Sequence, residues 1–181
     1  MFPVLETERL RLREVTLEDA DGLFACFSND QVTRYYGQEP LQHIEQAEKL
    51  VEHFANLYND TRGIRWGIER KEIQGIIGTL GYHAWSPKHK RAEIGYEVHP
   101  SQWGQGFATE ALSKALAYGF EVMELIRISA VVYTRNEASQ QLLVKAGFQK
   151  EGLLRKYMFQ NGAAHDTYIY SLLREDFSDT V

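Results

Sequence analysis

The chain has a single cysteine, Cys26, in 181 residues. That excludes an intramolecular disulfide and any multi-cysteine metal site. Cys26 falls in an apolar helical pattern, where a small thiol fills core space rather than acting as a nucleophile. Basic residues are in deficit as well: 20 Lys and Arg stand against 25 Asp and Glu, a net charge of −5 without a long basic run. This balance argues against broad nucleic-acid binding and suits cationic or neutral substrates. No apolar run approaches the roughly 18 residues of a membrane span, and the first eight residues lack a basic segment followed by an apolar one. A cytoplasmic protein without membrane contact is therefore expected. His43, His53, His83, His89 and His165 share no metal-ligand spacing with a nearby acid, so no metal is assigned. Repeats, linkers and low-complexity stretches are missing too. One domain over 1–181 is the expectation, and a content of 44% hydrophobic and 25% charged residues is that of a globular protein.

Strand and helix patterns alternate along the chain. Residues 8–14 alternate Leu10 and Leu12 with arginines, a first strand with one polar face. Thr16-Leu-Glu-Asp19 supplies an N-cap with an acid three residues on, opening a helix to about Phe27. Residues 29–41 read as a loop with two exposed aromatics, Tyr35 and Tyr36. A second helix carries Ile44, Ala47, Leu50, Val51, Phe54 and Leu57 on one stripe. Three strands follow at 65–70, 76–85 and 91–99. After a glycine turn, Ala108, Leu112, Ala115, Leu116, Gly119 and Phe120 recur at helical spacing. Residues 127–133 form a β-branched strand, Asn136 caps a short helix ending at Gly147, and two strands at about 150–160 and 165–173 flank a Gln160-Asn161-Gly162 turn. The class expected is α/β with a mixed sheet.

The most informative segment runs from Glu97 to Ala111. A strand passes through a Pro/Ser/Gly turn directly into a helix. Gly104 and Gly106 leave main-chain N–H groups uncovered where that helix begins, and its dipole adds positive charge, so the turn forms a concave anion site. The guest expected is a phosphorylated cofactor. A nucleotide P-loop would need a Lys and a Ser or Thr after its glycines, and neither is present. A dinucleotide fingerprint would need a third glycine where Thr109 stands, after a first strand rather than in mid-chain.

These residues, in order and spacing, resemble the GNAT superfamily of N-acetyltransferases, and within it the RimJ/RimL-like branch that acetylates ribosomal-protein N-termini. The motif Gln/Arg-x-x-Gly-x-Gly/Ala maps on 103–108, with Gly106 and Ala108 at its last fixed positions. Trp103 departs from the general pattern, and Trp-Gly-x-Gly-(Tyr/Phe)-Ala-Thr-Glu-Ala is common in this branch. Asn136-Glu-Ala-Ser139 and Lys145-Ala-Gly-Phe148 match its later motifs. The resemblance covers nearly the whole chain. It implies one domain with about seven mostly antiparallel strands, central strands splayed apart and helices on both faces. It implies acetyl-CoA as co-substrate, with N–H groups of Gln105, Gly106, Phe107, Ala108 and Thr109 on the pyrophosphate. Trp103 and Gly104 belong to the same turn. The main chain at Val98 and His99 would run beside the pantetheine, and Asn136 and Ser139 would lie near the sulfur. From the branch pattern Ser139 is the candidate proton donor to the CoA thiolate. The branch can also place a glutamate in the penultimate strand, but residues 156–161 offer no acid.

The residues themselves suggest the remaining roles. Acyl transfer to an amine needs a deprotonated nucleophile, and a peptide α-amino group, with a pKa of roughly 8, asks less of a base than a lysine at roughly 10.4. Alternation along 91–99 puts Glu93, Glu97 and His99 on one face and Ala92, Ile94, Tyr96 and Val98 on the other. Carboxylates in a covered middle strand are costly unless paired or facing a cavity. Glu93 is accordingly the candidate general base, direct or through water, and Glu97 a candidate contact for a cationic substrate; both alternatively salt-bridge nearby arginines. A backbone N–H at Val98 or His99 would meet the oxyanion. Tyr35, Tyr36 and Tyr168 are candidates for the acceptor groove. Together with the resemblance, the reading is an acetyl-CoA-dependent N-acetyltransferase acting in a ternary complex, and the likeness to the RimJ/RimL-like branch implies a protein or peptide N-terminal amine as favoured acceptor. The alternatives are a small amine (polyamine, amino acid or antibiotic) and a catalytically weak CoA-binding module. Homodimerisation is compatible with the chain, although no motif specifies an interface.

Overall fold

The computed structural model describes residues 1–178; the end of the expected domain, 179–181, lies outside the described residues. In chain order the elements are β1 (Leu5–Glu6), β2 (Leu10–Glu14), α1 (Ala20–Phe27), α2 (Asp30–Thr33), α3 (Ile44–Asn59), β3 (Ile64–Arg70), β4 (Ile76–Ser86) and β5 (Arg91–Val98). There follow α4 (Phe107–Glu121), β6 (Arg127–Tyr133), α5 (Glu137–Lys145), β7 (Gln149–Gln160) and β8 (Ala163–Leu173). One sheet holds eight strands in the order β1-β2-β3-β4-β5-β6-β8-β7. That is one more than the seven expected. The extra strand is β1, whose two residues pair through Leu5 with Leu12 and are too short to show a period of two.

Every neighbouring pair is antiparallel except β5 and β6. Those two pair only over Arg91–Glu93 and Arg127–Ser129, although β5 continues to Val98 and β6 to Tyr133. Beyond Glu93 the strands part, and the expected splay lies at this point. The break opens a gap in the middle of the sheet with free ladder positions on both lips.

Two apolar clusters cover the two faces. The larger places α4 and α5 over the sheet, with Trp66, Tyr82, Leu112, Leu116, Phe120 and Leu143 each almost fully buried. The smaller packs α1 and α3 on the opposite face through Leu23, Phe27, Ala47, Val51 and Phe54. Full burial of one such large side chain contributes about 1.5–3 kcal/mol, and α3 buries Val51 and Phe54 in this way. Helix α1 opens as the Thr16–Asp19 pattern requires: the Thr16 N–H donates to the Asp19 carboxylate at 2.9 Å, after which the chain makes one tight turn. Residues 29–41 differ from expectation. They include the short helix α2, capped by Asn29, and the two tyrosines are half-buried rather than exposed. Tyr36 meets Phe27 edge-on at 5.1 Å and Tyr35 lies 5.9 Å from Tyr133, so the loop folds over the gap.

Candidate active site

The turn leaving β5 is built as an anion cradle. Trp103 donates its indole N–H to Val98 O at 2.7 Å and so wedges the turn against the strand end. Gly104 and Gly106 adopt φ of +73° and +80°, a region that L side chains avoid. These conformations leave the N–H groups of 104–109 without a protein acceptor among the described residues. The fifteen-residue helix α4 begins at Phe107 and points the positive end of its dipole at the same place. An acid in its first turn would compete with a bound anion. Glu110 is instead held by Arg9, whose Nε donates at 2.6 Å, and by the Thr7 hydroxyl. Arg9 also donates to Gln105 O at 3.0 Å, and the guanidiniums of Arg9 and Arg70 lie 4.6 and 4.9 Å from the Phe107 ring centre. Positive charge thus surrounds the cradle without filling it.

Two cavities meet in the gap between β5 and β6. One, of about 630 Å³, runs from the cradle along the end of β5 and is lined by Val98, Trp103, Gly104, Gly106, Phe107 and their neighbours Ala108 and Thr109. The other, of about 350 Å³, lies beside Glu93 and His83 with Phe54, Tyr133 and Met158 in its walls. Tyr35, Tyr36, Tyr96, Asn136 and Ser139 line both. A ligand in each would meet at these five side chains. The larger space and the N–H cradle fit a long phosphorylated molecule such as acetyl-CoA.

The backbone on the β5 lip is set by the ladder. His99 N–H donates to Ile77 O at 2.8 Å, so His99 stands in a bonded pair with β4. Alternation then turns the N–H of Val98, opposite Gly78, away from β4 and toward the gap.

The titratable groups divide cleanly. Glu97 is buried, 6% exposed, and its carboxylate accepts from Arg65 Nη2 and the Thr79 hydroxyl. Burial opposes the Arg65 charge, but Glu97 and Tyr36 reverse that effect and hold its pKa above the ordinary value. Glu93 is half-buried beside the smaller cavity, with Oε1 3.0 Å from His83 Nε2. The Tyr96 hydroxyl reaches from β5 to Ser139 Oγ at 2.8 Å, and burial pushes its phenol up to about 12. Asn136 caps α5 by accepting from Ser139 N–H at 3.2 Å.

Several expected site residues are placed elsewhere. His99 does not line the cofactor-side cavity: its N–H is spent on β4, and its ring pairs with the Ser101 hydroxyl at 2.8 Å to close the turn. That leaves Val98 as the only one of the two expected oxyanion donors facing the gap. The Gln105 side chain turns away from the cavity and donates to Ser101 O, and its carbonyl accepts from Arg9, while its N–H stays among the free donors of the turn. Tyr168 lines neither cavity. It sits on β8, opposite Val132 on β6 and Leu153 on β7, under the Lys150 ammonium at 3.8 Å. Glu97 lines the cofactor-side cavity, not the acceptor side, and is committed to Arg65. Tyr35 does lie where the cavities meet. Tyr96 and Arg65 enter the site unannounced, and Gln160 stands behind its wall, accepting from the Tyr133 hydroxyl at 2.9 Å. A charge between Ile64 and Trp66 in a buried strand was the one available signal for Arg65.

Comparison with known proteins follows the same line. Residues 9–149 match the family model described as an acetyltransferase (GNAT) domain. The chain is 58% identical over 174 residues to the Bacillus subtilis protein named Uncharacterized N-acetyltransferase YoaA, covering 96% of this chain and 98% of that one. Among solved structures, spermidine N-acetyltransferase from Vibrio cholerae in complex with CoA and spermine superposes with a TM-score of 0.82 at 25% identity, over 94% of this chain and 98% of that one. RimL, a ribosomal L7/L12 alpha-N-protein acetyltransferase, superposes with a TM-score of 0.86 over 96% and 95% of the two chains, and at 20% identity shares the fold alone. The cradle, the splay and this match across most of the chain agree, and the protein belongs to the GNAT acetyltransferase family.

Proposed function

We propose that this N-acetyltransferase acts on the α-amino group of a protein or peptide, as one domain and in the cytoplasm. The observation carrying the choice of acceptor is the charge inventory of the smaller cavity. Among the described residues Glu93 is its only lining carboxylate, facing His83, while aromatic and apolar side chains form much of the wall. A polyamine brings several ammonium groups, each needing its own acid when taken out of water. A single amine beside an apolar group matches one carboxylate.

In this reading the N–H groups from Gly104 to Thr109 hold the pyrophosphate of acetyl-CoA, which supplies the activated acetyl group. Glu93 removes the proton of the incoming amine, directly or through water. The Val98 N–H, aimed into the gap, stabilises charge on the acetyl oxygen, a donor that costs no reorganisation. Ser139 returns a proton to the departing sulfur. Tyr35 flanks the acceptor from the loop.

The test is acetyl transfer from acetyl-CoA to hexapeptides with free N-termini, run against spermidine. Peptides are expected to show the higher kcat/KM, and Glu93→Gln to lower kcat by roughly 100-fold. Faster turnover of spermidine than of any peptide would replace the reading with a small-amine acetyltransferase. Acetyl-CoA binding without turnover of either would point to a CoA-binding module.

A further inference from the structure

Tyr96 has no part in the steps above, yet it stands where the two cavities meet. Its ring comes from β5 on one lip of the gap, and Ser139 comes from the first turn of α5 on the other side. Their oxygens are 2.8 Å apart, and Ser139 Oγ has no other protein partner among the described residues. The start of α5 is itself anchored, because Asn136 accepts from Ser139 N–H. The serine Cα is therefore fixed, and only rotation of its hydroxyl is left to be decided.

We propose that Tyr96 is a positioning residue: its hydroxyl donates to Ser139 Oγ and thereby aims the serine's own proton into the cofactor-side cavity. Resting on the reading of Ser139 as proton donor, the assignment follows from donor chemistry. A hydroxyl has one proton and two acceptor positions. A phenol is the stronger acid of the pair, so its proton occupies the short bond. A phenol is protonated at neutral pH in any case, and burial pushes this one further up. With one of its acceptor positions filled by Tyr96, Ser139 directs its own O–H bond elsewhere, and the space beside it is the end of the cofactor-side cavity where the two cavities meet.

The proton balance closes. The amine nitrogen donates its lone pair to the acetyl carbon, forming the C–N bond, and the C–S bond breaks with its electron pair going to sulfur. Sulfur takes the Ser139 proton and Ser139 regains one from water, while Tyr96 keeps its own throughout. The proton shed by the amine goes to Glu93 or to water, so none is gained or lost overall.

Release of CoA thiol should be followed in wild type, Tyr96→Phe, Ser139→Ala and the double variant, with a free-N-terminus hexapeptide as acceptor and with water alone. Calorimetry gives acetyl-CoA affinity in parallel. Tyr96→Phe keeps the ring and is expected to lower kcat roughly ten-fold while KM and Kd for acetyl-CoA stay within about two-fold. The double variant should be no slower than Ser139→Ala, because both changes disable one unit. A packing role for Tyr96 would instead raise KM for acetyl-CoA and add its effect to that of Ser139→Ala, which overturns the proposal. A slow Ser139→Ala beside an unimpaired Tyr96→Phe also overturns it while leaving Ser139 as the donor. If neither variant is impaired, the Ser139 reading fails and the proposal falls with it. Should Tyr96→Phe be poorly folded, Ser139→Thr decides between the two. It keeps a hydroxyl on the Tyr96 partner and should recover kcat relative to Ser139→Ala; no recovery counts against the hydroxyl pair.

Discussion

Arg65 on β3 and Glu97 on β5 form an ion pair across the intervening strand, with side chains only 7% and 4% exposed. Room for the guanidinium comes from Gly95, where a Cβ would sit 3.4 Å from Arg65 Nη1. Its remaining bonds go to Thr79, Gly95 O and the Tyr36 hydroxyl. The pair thus ties the splayed strand to the loop over the gap. Removing one partner leaves a buried, uncompensated charge, which typically costs about 3–5 kcal/mol. Arg65→Ala is expected to lose that much in urea unfolding. The double change Arg65→Met with Glu97→Leu should lose clearly less, since no charge is stranded. Equal losses would show that packing, not charge, sets the cost.

The cradle predicts a binding defect of a specific kind. An alanine at Gly104 meets no atom within 4 Å, so Gly104→Ala carries only the strain of a positive φ. Gly106→Ala adds a Cβ 3.4 Å from Arg9 Nη2. Each should cost about 1 kcal/mol of backbone strain. Relaxation of the turn withdraws N–H donors, so acetyl-CoA affinity should fall roughly ten-fold, equivalent to about 1.4 kcal/mol, more for Gly106 than for Gly104. Calorimetry measures this directly, and unchanged affinity in both variants would move the anion away from the turn.

Acid sensitivity should trace to Asp19. Burial alone would raise its pKa, but a two-point contact with Arg13, at 2.8 Å to each oxygen, and the Thr16 N–H together hold it below the usual 3.8. A depressed carboxyl pKa gives stability that is complete above the unfolded value and disappears as pH falls through the folded one. The stability gap between wild type and Asp19→Asn should accordingly be constant from neutral pH down to about 5 and narrow below pH 3.8. Melting temperatures taken from pH 7 to pH 2.5 test the sign. A gap that widens on acidification would contradict it.

What could be read before the structure depended on the range of the interaction. The strand 127–133 was found at its observed limits because its apolar residues are β-branched and its ends are marked. The Asn136 cap, the α4 start and the Asn161-Gly162 turn are each specified within about four residues, the span over which turns and caps act. The site was harder. Alternation put Tyr96 on the apolar face, and it does lie there; only the arrival of α5 some forty residues later supplies Ser139 and makes the phenol functional. Glu97 was recognised as costly to bury, but its partner depended on the register of three strands. Tyr168 was misplaced because nothing local shows that β8 lies between β6 and β7, away from the gap. His99 shares a face with the acids by alternation, yet its backbone is consumed by the ladder.

Gln160 shows how far a single amide can govern the acceptor side. It is buried at the end of β7 and uses all of its bonding capacity on the loop and on Tyr133 at the end of β6. Oε1 accepts from Gly37 N–H at 3.1 Å and from the Tyr133 hydroxyl at 2.9 Å, while Nε2 donates to Thr33 O at 2.8 Å and Gln38 O at 2.7 Å. These bonds pin the segment that carries Tyr35 and Tyr36. Each buried group left unpaired costs about 1–3 kcal/mol, so Gln160→Ala should release residues 33–38 rather than unfold the sheet. Amide exchange in that segment should accelerate, and KM for the acceptor should rise roughly ten-fold with a smaller change in acetyl-CoA affinity, because the cradle belongs to α4. Gln160→Glu is the sharper probe: it places a carboxylate oxygen against the carbonyls of Thr33 and Gln38, where a donor is required, and should be worse than alanine. A glutamate variant with native exchange and native KM would mean that the loop is held by its aromatic contacts alone.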